Sequence, residues 1–468
     1  GKPTVLPSHI NVGMYAALLA IGYNSGVYQL LTEVYGAKNA NVIMDYAMFS
    51  LLDRSTSSQL FPDVMRDQMT FSDHVLSDNA LSDFIKNTLN EDLNHQFKLK
   101  WLETCKESGL QKVWLSIDGS NNDCEVKTSD LCESGKNKSG TSATVVSYIW
   151  AVDASTGKPI SYFVNRGGKA DCKAVKKILA LLKDLQIEVC GVILDRGFCY
   201  PEVFSMLKEC KLNYVVMLKK DTYATTLMMQ EYAEQIHWNV KYFLGKDGLF
   251  GITDRKQLFK GYDDEAYVSL YYDANNGTQR ALTFLKKISM FSKKLKSCVD
   301  QGTKPFIPAE MEPYFTVIEN DDGSYSIEQN YVNVQKTVDS KGYSAIASSD
   351  DYGTQGVDNI YHLRDSSETQ YSIFKSQLGA STTRVHSTES ILSKFLVCFI
   401  AAILRQEFLL ASKKIGLDTS KIIRELNFVS LILSTGERYL AINELSLKQK
   451  DLFNCFGVNI EHIKAFAS

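Results

Sequence analysis

At the sequence Val-Trp-Leu-Ser-Ile-Asp, positions 113–118, the pattern of apolar residues changes from helical to strand-like. Its apolar residues predict a buried β-strand that ends in a carboxylate, Asp118. A second apolar run, Val189 to Leu194, ends in the same way, in Asp195. Glycine follows each aspartate within two residues, which predicts that the chain turns away and leaves each carboxylate at an open sheet edge.

The segments around these two strands predict the rest of a mixed α/β core. The predicted strands and helices are Thr144–Val152, Pro159–Val164, the amphipathic helix Asp171–Leu185, the helix Pro201–Lys211 and the strand Tyr214–Leu218. The resulting order is β-β-β-α-β-α-β, an antiparallel meander followed by strands that crossover helices make parallel to their neighbours. This order is the RNase-H-like topology, in which the first and fourth strands lie side by side, and it therefore brings Asp118 close to Asp195.

The length of 468 residues favours about three domains, because one hydrophobic core rarely serves so long a chain. Helical spacing, as in Gly26–Tyr35 and Ala80–Leu89, predicts an all-α N-terminal domain, and alternation in Tyr267–Tyr272 and Tyr331–Val338 predicts a β-rich insertion. The predicted parts are a helical domain for DNA binding or dimerisation (1–110), the first part of the RNase-H-like core (111–220), the insertion (221–349), the second part of the core (350–412) and a C-terminal helical region (413–468).

Composition excludes several classes of protein. The ten cysteines form no C-x-x-C pair and the seven histidines never pair at zinc-ligand spacing, so neither a disulfide framework nor a thiolate or imidazole metal site is expected. The most apolar run, Ile391–Leu404, is shorter than the roughly 20 residues that span a bilayer, and it predicts a buried helix.

The formal net charge of −3 is low for a protein that binds nucleic acid. Basic residues are nevertheless concentrated in two segments, which can equally be solvated helix faces or nucleic-acid contacts. The two groups are Arg166, Lys169, Lys173, Lys176, Lys177 and Lys183, and Lys286, Lys287, Lys293, Lys294 and Lys296.

A third acid lies in a distinctive segment. Tyr361, Arg364, Glu368 and Lys375 have the spacing Y-(2)-R-(3)-E-(6)-K, which on a helix predicted over Val357–Leu378 puts all four on one face. An Arg364 to Glu368 ion pair on a solvated helix would explain two of these residues. It would not explain a phenol and a lysine on the same face, which together could hold phosphate oxygens around a metal-binding carboxylate.

The complete Y-(2)-R-(3)-E-(6)-K string resembles the signature of the insertion sequence four family of bacterial DDE transposases. Asp118 in Ser-Ile-Asp-Gly and Asp195 in Ile-Leu-Asp-Arg-Gly-Phe look like the first and second acids of that family, and Glu368 looks like its third. The resemblance extends over about Val113 to Ile403, including a β-rich insertion between the second and third acids. It implies that Tyr361, Arg364 and Lys375 contact DNA phosphates.

The ligand set predicts the chemistry. Three carboxylates favour hard ions such as Mg²⁺ or Mn²⁺, and two such ions about 4 Å apart can activate an attacking oxygen and stabilise a leaving one. Hydrolysis at a transposon end would expose a 3′-hydroxyl, which would then attack target DNA. This predicts cut-and-paste transposition of an insertion sequence, with Asp118, Asp195 and Glu368 as both catalytic residues and metal ligands.

The resemblance also implies the partners and the location of the protein. We expect it to bind the terminal inverted repeats and target DNA as a homodimer in a synaptic complex, in the bacterial cytoplasm near the nucleoid and away from membranes. Two alternatives stay open at this point. One is an RNase-H-like endonuclease without strand transfer, and the other is an inactive DNA-binding protein descended from a transposase.

Overall fold

The structure is a computed structural model in which the chain divides into two compact units. The first unit comprises Gly1–Gly197, Lys208–Leu212 and His362–Ser468, and the second comprises Phe198–Leu207 and Asn213–Tyr361. The residues that the structure describes are 9–124, 131, 133–136, 142–166, 172–245, 248–365, 367–368, 370–372, 382–383, 388–433, 439–442 and 444–459.

The first unit begins with a helical segment. Local signals start several of these helices: the side chains of Ser77 and Asn90 accept hydrogen bonds from the first turns of α5 and α6. Gly36 separates α2 from α3 at a φ of 82°, which glycine adopts at little cost. The predicted helices at Gly26–Tyr35 and Ala80–Leu89 are found as α2 and α5. The elements are β1 (His9–Asn11), α1 (Gly13–Asn24), α2 (Val27–Tyr35), α3 (Ala37–Asp53), α4 (Phe61–Met65), α5 (Asp78–Thr88) and α6 (Glu91–Glu107).

A mixed sheet follows. Strand β2 pairs antiparallel with β4, β4 pairs antiparallel with β5, and β2 pairs in parallel with β6 on its other side. The predicted meander and the parallel strand reached through helix α7 are therefore confirmed. The elements are β2 (Lys112–Cys124), β3 (Glu133–Lys136), β4 (Ser142–Asp153), β5 (Pro159–Arg166), α7 (Cys172–Asp184), β6 (Glu188–Leu194) and β13 (Thr382–Thr383).

The prediction that the chain turns away directly after Asp118 is wrong. Strand β2 continues to Cys124, because its pairing with β4 runs from Leu115 opposite Asp153 to Asp123 opposite Val145. A glycine in a strand weakens it locally but does not end it when the neighbouring strand supplies the ladder. Asp118 therefore lies within a strand, whereas Asp195 follows the end of one.

The long helix α14 (Thr388–Ile415) forms the centre of the hydrophobic core of the first unit. Phe395 packs edge-on against Tyr148 with ring centroids 5.1 Å apart, and Phe399 packs in the same way against Trp150 at 5.3 Å. Among the described residues, α14 is the one helix long and apolar enough to cross a membrane, a test that buried core helices also pass. Most of it is buried here, as predicted for Ile391–Leu404.

The C-terminal elements close onto the beginning of the chain. Strands β14 and β15 form a sheet with β1, and the Val12 N–H donates to the Val429 carbonyl at 2.8 Å. This segment also ends with a helix that starts at a capping box formed by Ser446 and Gln449. The elements are α15 (Thr419–Asn427), β14 (Ser430–Leu433), β15 (Tyr439–Ile442) and α16 (Leu447–Phe456).

The second unit has an antiparallel sheet in the order β7-β12-β9-β8 and a separate β10-β11 hairpin. The hairpin and two helices enclose a small core of Ile288, Leu295, Met311, Phe315 and Val334. The elements are α8 (Pro201–Glu209), which begins in this unit, β7 (Tyr214–Met217), α9 (Tyr223–Ile236), β8 (Leu249–Gln257), β9 (Glu265–Asp273), α10 (Ala274–Asp300), β10 (Phe315–Glu319), β11 (Tyr325–Gln329), α11 (Tyr331–Asp339), β12 (Tyr343–Ser348) and α12 (Gly353–His362).

One strand predicted in this unit is a helix. The alternating segment Tyr331–Val338 forms α11, because the Asn330 side chain caps its N-terminus by accepting from the Asn333 N–H. Packing is one-sided as a helix requires, with Val334 buried in the small core. Strand preference depends on packing partners, and here the cap and the core outweigh it. The strand predicted at Tyr267–Tyr272 is confirmed within β9.

Candidate active site

Two aspartates occupy neighbouring positions on the mixed sheet of the first unit. In the parallel pairing of β2 with β6, Ile117 lies opposite Leu194. Asp118 and Asp195 are the next residue on each side. Because paired strands lie about 4.8 Å apart, this register brings the two aspartate backbones to about that distance. Two residues 77 positions apart in sequence are thus adjacent in space.

The sheet and the following turn hold the two carboxylates differently. Asp118 is buried within β2, whereas Asp195 is half-buried directly after β6. The Asp195 Oδ1 atom accepts a hydrogen bond of 2.8 Å from the Gly197 backbone N–H. A Cβ atom at position 197 would stand 2.8 Å from the same oxygen. Glycine at this position therefore leaves room for the carboxylate and also orients it.

Glu368 lies on a helical segment that packs against β2. We call this segment α13. It runs over residues 365–372, and 366 and 369 are not among the residues that the structure describes. The Ser367 Oγ atom lies 3.0 Å from the Ser116 Oγ atom, and the Tyr371 hydroxyl donates to the Ser116 carbonyl at 2.7 Å. Two residues of α13 thus contact the same residue of β2.

These contacts put α13 on the face of β2 that carries Asp118. Ser116 and Asp118 are two residues apart in a strand, so their side chains point to the same face. Burial, and then the charge of Asp118, raise the pKa of the Tyr371 phenol, consistent with a position close to that carboxylate. Glu368 follows Ser367 directly and is exposed to solvent. Glu368 therefore belongs to a helix that is fixed next to the strand carrying Asp118.

A second set of contacts holds α13 from the other side. The Gln370 side-chain amide donates to the Ala402 carbonyl at 3.2 Å and to the Gln406 Oε1 atom at 3.3 Å, both on α14. Gln370 is completely buried. Helix α13 is therefore held between the sheet and the central helix of the core, which leaves it little freedom to shift.

The prediction of one continuous helix carrying Tyr361, Arg364, Glu368 and Lys375 on one face is wrong. Helix α12 ends at His362, and Leu363 and Arg364 form a turn before α13 begins. Tyr361 is thus in the second unit and Glu368 in the first. Arg364 is buried, and its charge lowers the pKa of Tyr371, against the larger effect of burial. Lys375 lies outside the described residues.

The donor set suits a hard divalent ion, although the geometry shows two acids side by side rather than a closed group of three. Among the described residues, no group of three or more His, Cys, Asp or Glu side chains lies close enough to hold a metal ion. Like-charged carboxylates at adjacent sheet positions repel each other, and a cation would relieve that repulsion. Asp118 and Asp195 therefore fit as ligands, and Glu368 lies on α13, the helical segment that packs against β2.

The residues that hold α13 in place were not predicted from the sequence. Ser116, Ser367, Gln370 and Tyr371 make the buried contacts of α13, yet none of them belongs to the motif. The one signal was Ser116, a polar residue inside an otherwise apolar strand, where a buried hydroxyl needs a hydrogen-bond partner. Its partners lie about 250 residues further along the chain, and no local pattern identifies them.

Comparison with known proteins adds independent information. No curated protein matches this chain. Among solved structures, it is similar to a piggyBac transposase synaptic complex with hairpin DNA, determined by cryo-EM, with 12% identity and a TM-score of 0.41 over 88% of this chain and 79% of that one. A family model described as a transposase DDE domain matches residues 126–404, which include Asp195 and Glu368 and begin shortly after Asp118. That match covers more than half of the 468 residues, and the chain therefore belongs to the transposase DDE domain family.

Proposed function

We propose that Asp118, Asp195 and Glu368 are the three acids with which this DDE transposase cuts and joins DNA. The register of β2 and β6 carries the proposal, because it makes the two aspartates neighbours on a rigid sheet. The anchoring of α13 on Ser116 supports the assignment of Glu368 as the third acid. The strand order β5-β4-β2-β6 supports an RNase-H-like core.

Asp118, Asp195 and Glu368 would hold two Mg²⁺ or Mn²⁺ ions. When bound, such ions supply activation of the attacking oxygen and stabilisation of the leaving oxygen of a phosphodiester. The chain itself contributes rigidity: β2 fixes Asp118, the Gly197 N–H orients Asp195, and α13 carries Glu368 on a helix held from two sides. Asp118 and Asp195, held in advance at neighbouring positions, would need little rearrangement when substrate arrives, which favours catalysis.

The motif residues outside the acids would bind the DNA backbone. Tyr361, Arg364 and Lys375 are proposed to contact phosphates close to the scissile bond, as the resemblance to the insertion sequence four family implies. Arg364 is buried, so it would reach a phosphate only at the edge of the α12–α13 turn or act by supporting α13. A role in DNA binding is therefore easier to reconcile with the half-buried Tyr361.

The wider biological setting follows from the same resemblance. We propose a bacterial enzyme of the insertion sequence four family that performs cut-and-paste transposition in the cytoplasm near the nucleoid. It would act on terminal inverted repeats and target DNA as a homodimer. The proposed roles of its parts are those predicted from the sequence: DNA binding or dimerisation by 1–110, catalysis by 111–220 with 350–412, a β-rich insertion over 221–349, and a helical region over 413–468.

The test uses a labelled duplex taken from the DNA that flanks the coding sequence. Asp118→Ala, Asp195→Ala and Glu368→Ala should each abolish Mg²⁺-dependent cleavage and leave binding of the duplex intact. Glu188→Gln is the control, because it removes an exposed acid at the other end of β6 that pairs with Lys112. Cleavage that persists in any of the three alanine variants would rule out the site.

The products of the same reaction separate the alternatives. Joining of the released 3′-end to an unlabelled plasmid identifies a transposase that transfers strands. Cleavage without joining identifies an endonuclease, and binding without cleavage in the unaltered protein identifies an inactive DNA-binding descendant.

A further inference from the structure

Helix α10 of the second unit has an unusual distribution of charge. Over its 27 residues, Ala274–Asp300, it contains six basic residues and a single acid, the terminal Asp300. The chain as a whole has a net charge of −3. The segment that follows, 301–342, reverses the balance with seven acids and three lysines. The helix therefore carries an excess of basic over acidic residues that the segment after it does not share.

The basic residues occupy a defined, solvent-exposed side of the helix. Ile288 and Leu295 face the small core and are buried. Lys286 and Lys293, also seven residues apart, lie about 160° around the helix from them and about 10 Å from each other along its axis. Lys287 and Lys294 form a parallel row between these two sides. All four lysines are exposed, and the helix is about 40 Å long.

This arrangement is unfavourable for an isolated solvated helix. Surface helices usually intersperse acids with bases, because pairs of opposite charge three or four residues apart stabilise them by a few tenths of a kcal/mol each. Helix α10 has one such spacing, from Lys296 to Asp300, and none that involves Lys286, Lys287, Lys293 or Lys294. Within the described part of the chain, only Lys287 of these lysines has a carboxylate partner, Glu310, at 3.3 Å. The charges of Lys286, Lys293 and Lys294 have no acid three or four residues away on the helix to offset their mutual repulsion.

We propose that the exposed lysine side of α10, formed by Lys286, Lys287, Lys293 and Lys294, is a second DNA-binding surface that contacts the phosphate backbone of duplex DNA. Lysine ammonium groups on two parallel rows match a polyanion and read no base sequence. The surface would add affinity that is independent of sequence. This inference deepens the proposed function, because it names a further site for the same substrate.

The test is the salt dependence of duplex binding. The double variant Lys286→Gln/Lys293→Gln should lose two phosphate contacts. The plot of the logarithm of the DNA association constant against the logarithm of salt concentration should then be less steep by about 1.8, and binding at 0.1 M salt should be about 60-fold weaker. The control is Lys304→Gln/Lys336→Gln, which removes the same charge from the same unit but outside α10. It should leave the slope unchanged. All four side chains lie outside the small core, so melting temperatures should not change.

The outcomes separate this inference from the proposed function. Equal slopes for the two double variants and the unaltered protein would overturn the inference, as would equal losses in both variants, which would indicate a general charge effect. Loss of binding to anionic phospholipid vesicles with an unchanged DNA slope would assign the surface to membranes instead. When the variant Lys286→Gln/Lys293→Gln is present at a concentration that saturates the duplex, it should cleave the duplex at the normal single-turnover rate. Asp118→Ala should show the reverse, with a normal slope and no cleavage.

Discussion

The hydroxyl of Tyr371 gives the sharpest test of how the candidate active site is built. Tyr371→Phe removes one buried hydroxyl that donates to the Ser116 carbonyl at 2.7 Å and keeps the ring in place. Since the acceptor stays buried after the donor is lost, the expected decrease in the free energy of unfolding is about 1–3 kcal/mol. A change of this size should leave the protein folded at room temperature.

The functional consequence should exceed what the loss of stability explains. Tyr371 is three residues after Glu368 on α13 and fixes that helix against the strand carrying Asp118. Residues that orient metal ligands from behind typically contribute about 10-fold to 100-fold to metal affinity. We therefore expect Tyr371→Phe to weaken Mn²⁺ binding, measured by titration calorimetry or electron paramagnetic resonance, by about that factor. Single-turnover cleavage should need correspondingly more Mn²⁺ and recover at saturation.

Tyr46→Phe is the matched control. The Tyr46 hydroxyl is equally buried and donates to a backbone carbonyl, that of Thr56, at 2.6 Å, in the helical segment of the same unit. Its loss should cost a similar free energy of unfolding and leave Mn²⁺ affinity unchanged. If both variants lose Mn²⁺ affinity equally, or neither does, Tyr371 does not position the site. Loss of Mn²⁺ binding in Glu368→Ala would show independently that the site itself exists.

Three further predictions concern single residues. Gly197→Ala places a Cβ atom 2.8 Å from the Asp195 Oδ1 atom and should weaken Mn²⁺ affinity and slow cleavage about 10-fold, which an unchanged titration would contradict. Burial raises the pKa of Asp45 from 3.8 to about 6, so the folded state holds its proton more tightly than the unfolded state. The free energy of unfolding of the unaltered protein, measured against Asp45→Asn by urea denaturation, should therefore fall by about 3 kcal/mol as the pH rises from about 3 to about 7 and then level off; a difference independent of pH would refute this. Burial, and then the nearby charge of Arg54, lower the pKa of Arg405 to about 9, and its Nε and Nη1 atoms have no hydrogen-bond partner among the described residues. Arg405→Met should thus raise the free energy of unfolding by about 1–4 kcal/mol, and a destabilised variant would reveal that this arginine has an interaction of its own.

Local sequence patterns were sufficient to predict the central strands of the first unit. The apolar runs that end near Asp118 and Asp195 predicted β2 and β6, and the helix between them required a parallel crossover. Because backbone geometry then fixes the register of neighbours, the closeness of the two aspartates followed from the chain order alone. Burial of the apolar run Ile391–Leu404 could also be predicted from the local sequence. So apolar a helix gains most free energy by removing its surface from water.

Other features depended on contacts between distant parts of the chain. The alternation in Tyr331–Val338 favoured a strand, but a cap at Asn330 and a core contributed by other elements made it a helix. The spacing from Tyr361 to Lys375 favoured one helix, whereas the chain passes from one compact unit to the other at this point and turns at Leu363 and Arg364. Periodicity indicates which residues would share a face of a helix, but it does not indicate whether the backbone continues as a helix through the whole segment.

Local apolar patterns and chain order were enough to predict the strand that carries Asp118 and the strand that precedes Asp195, because strand formation and register depend on nearby apolar residues and on chain order. The way in which Glu368 is held depends instead on tertiary contacts. Its helix is fixed by Ser116, Gln370 and Tyr371, whose hydroxyl and amide groups must find partners once they are buried, and those partners come from β2 and α14. Hydrogen bonds between residues hundreds of positions apart leave no periodic trace in the sequence.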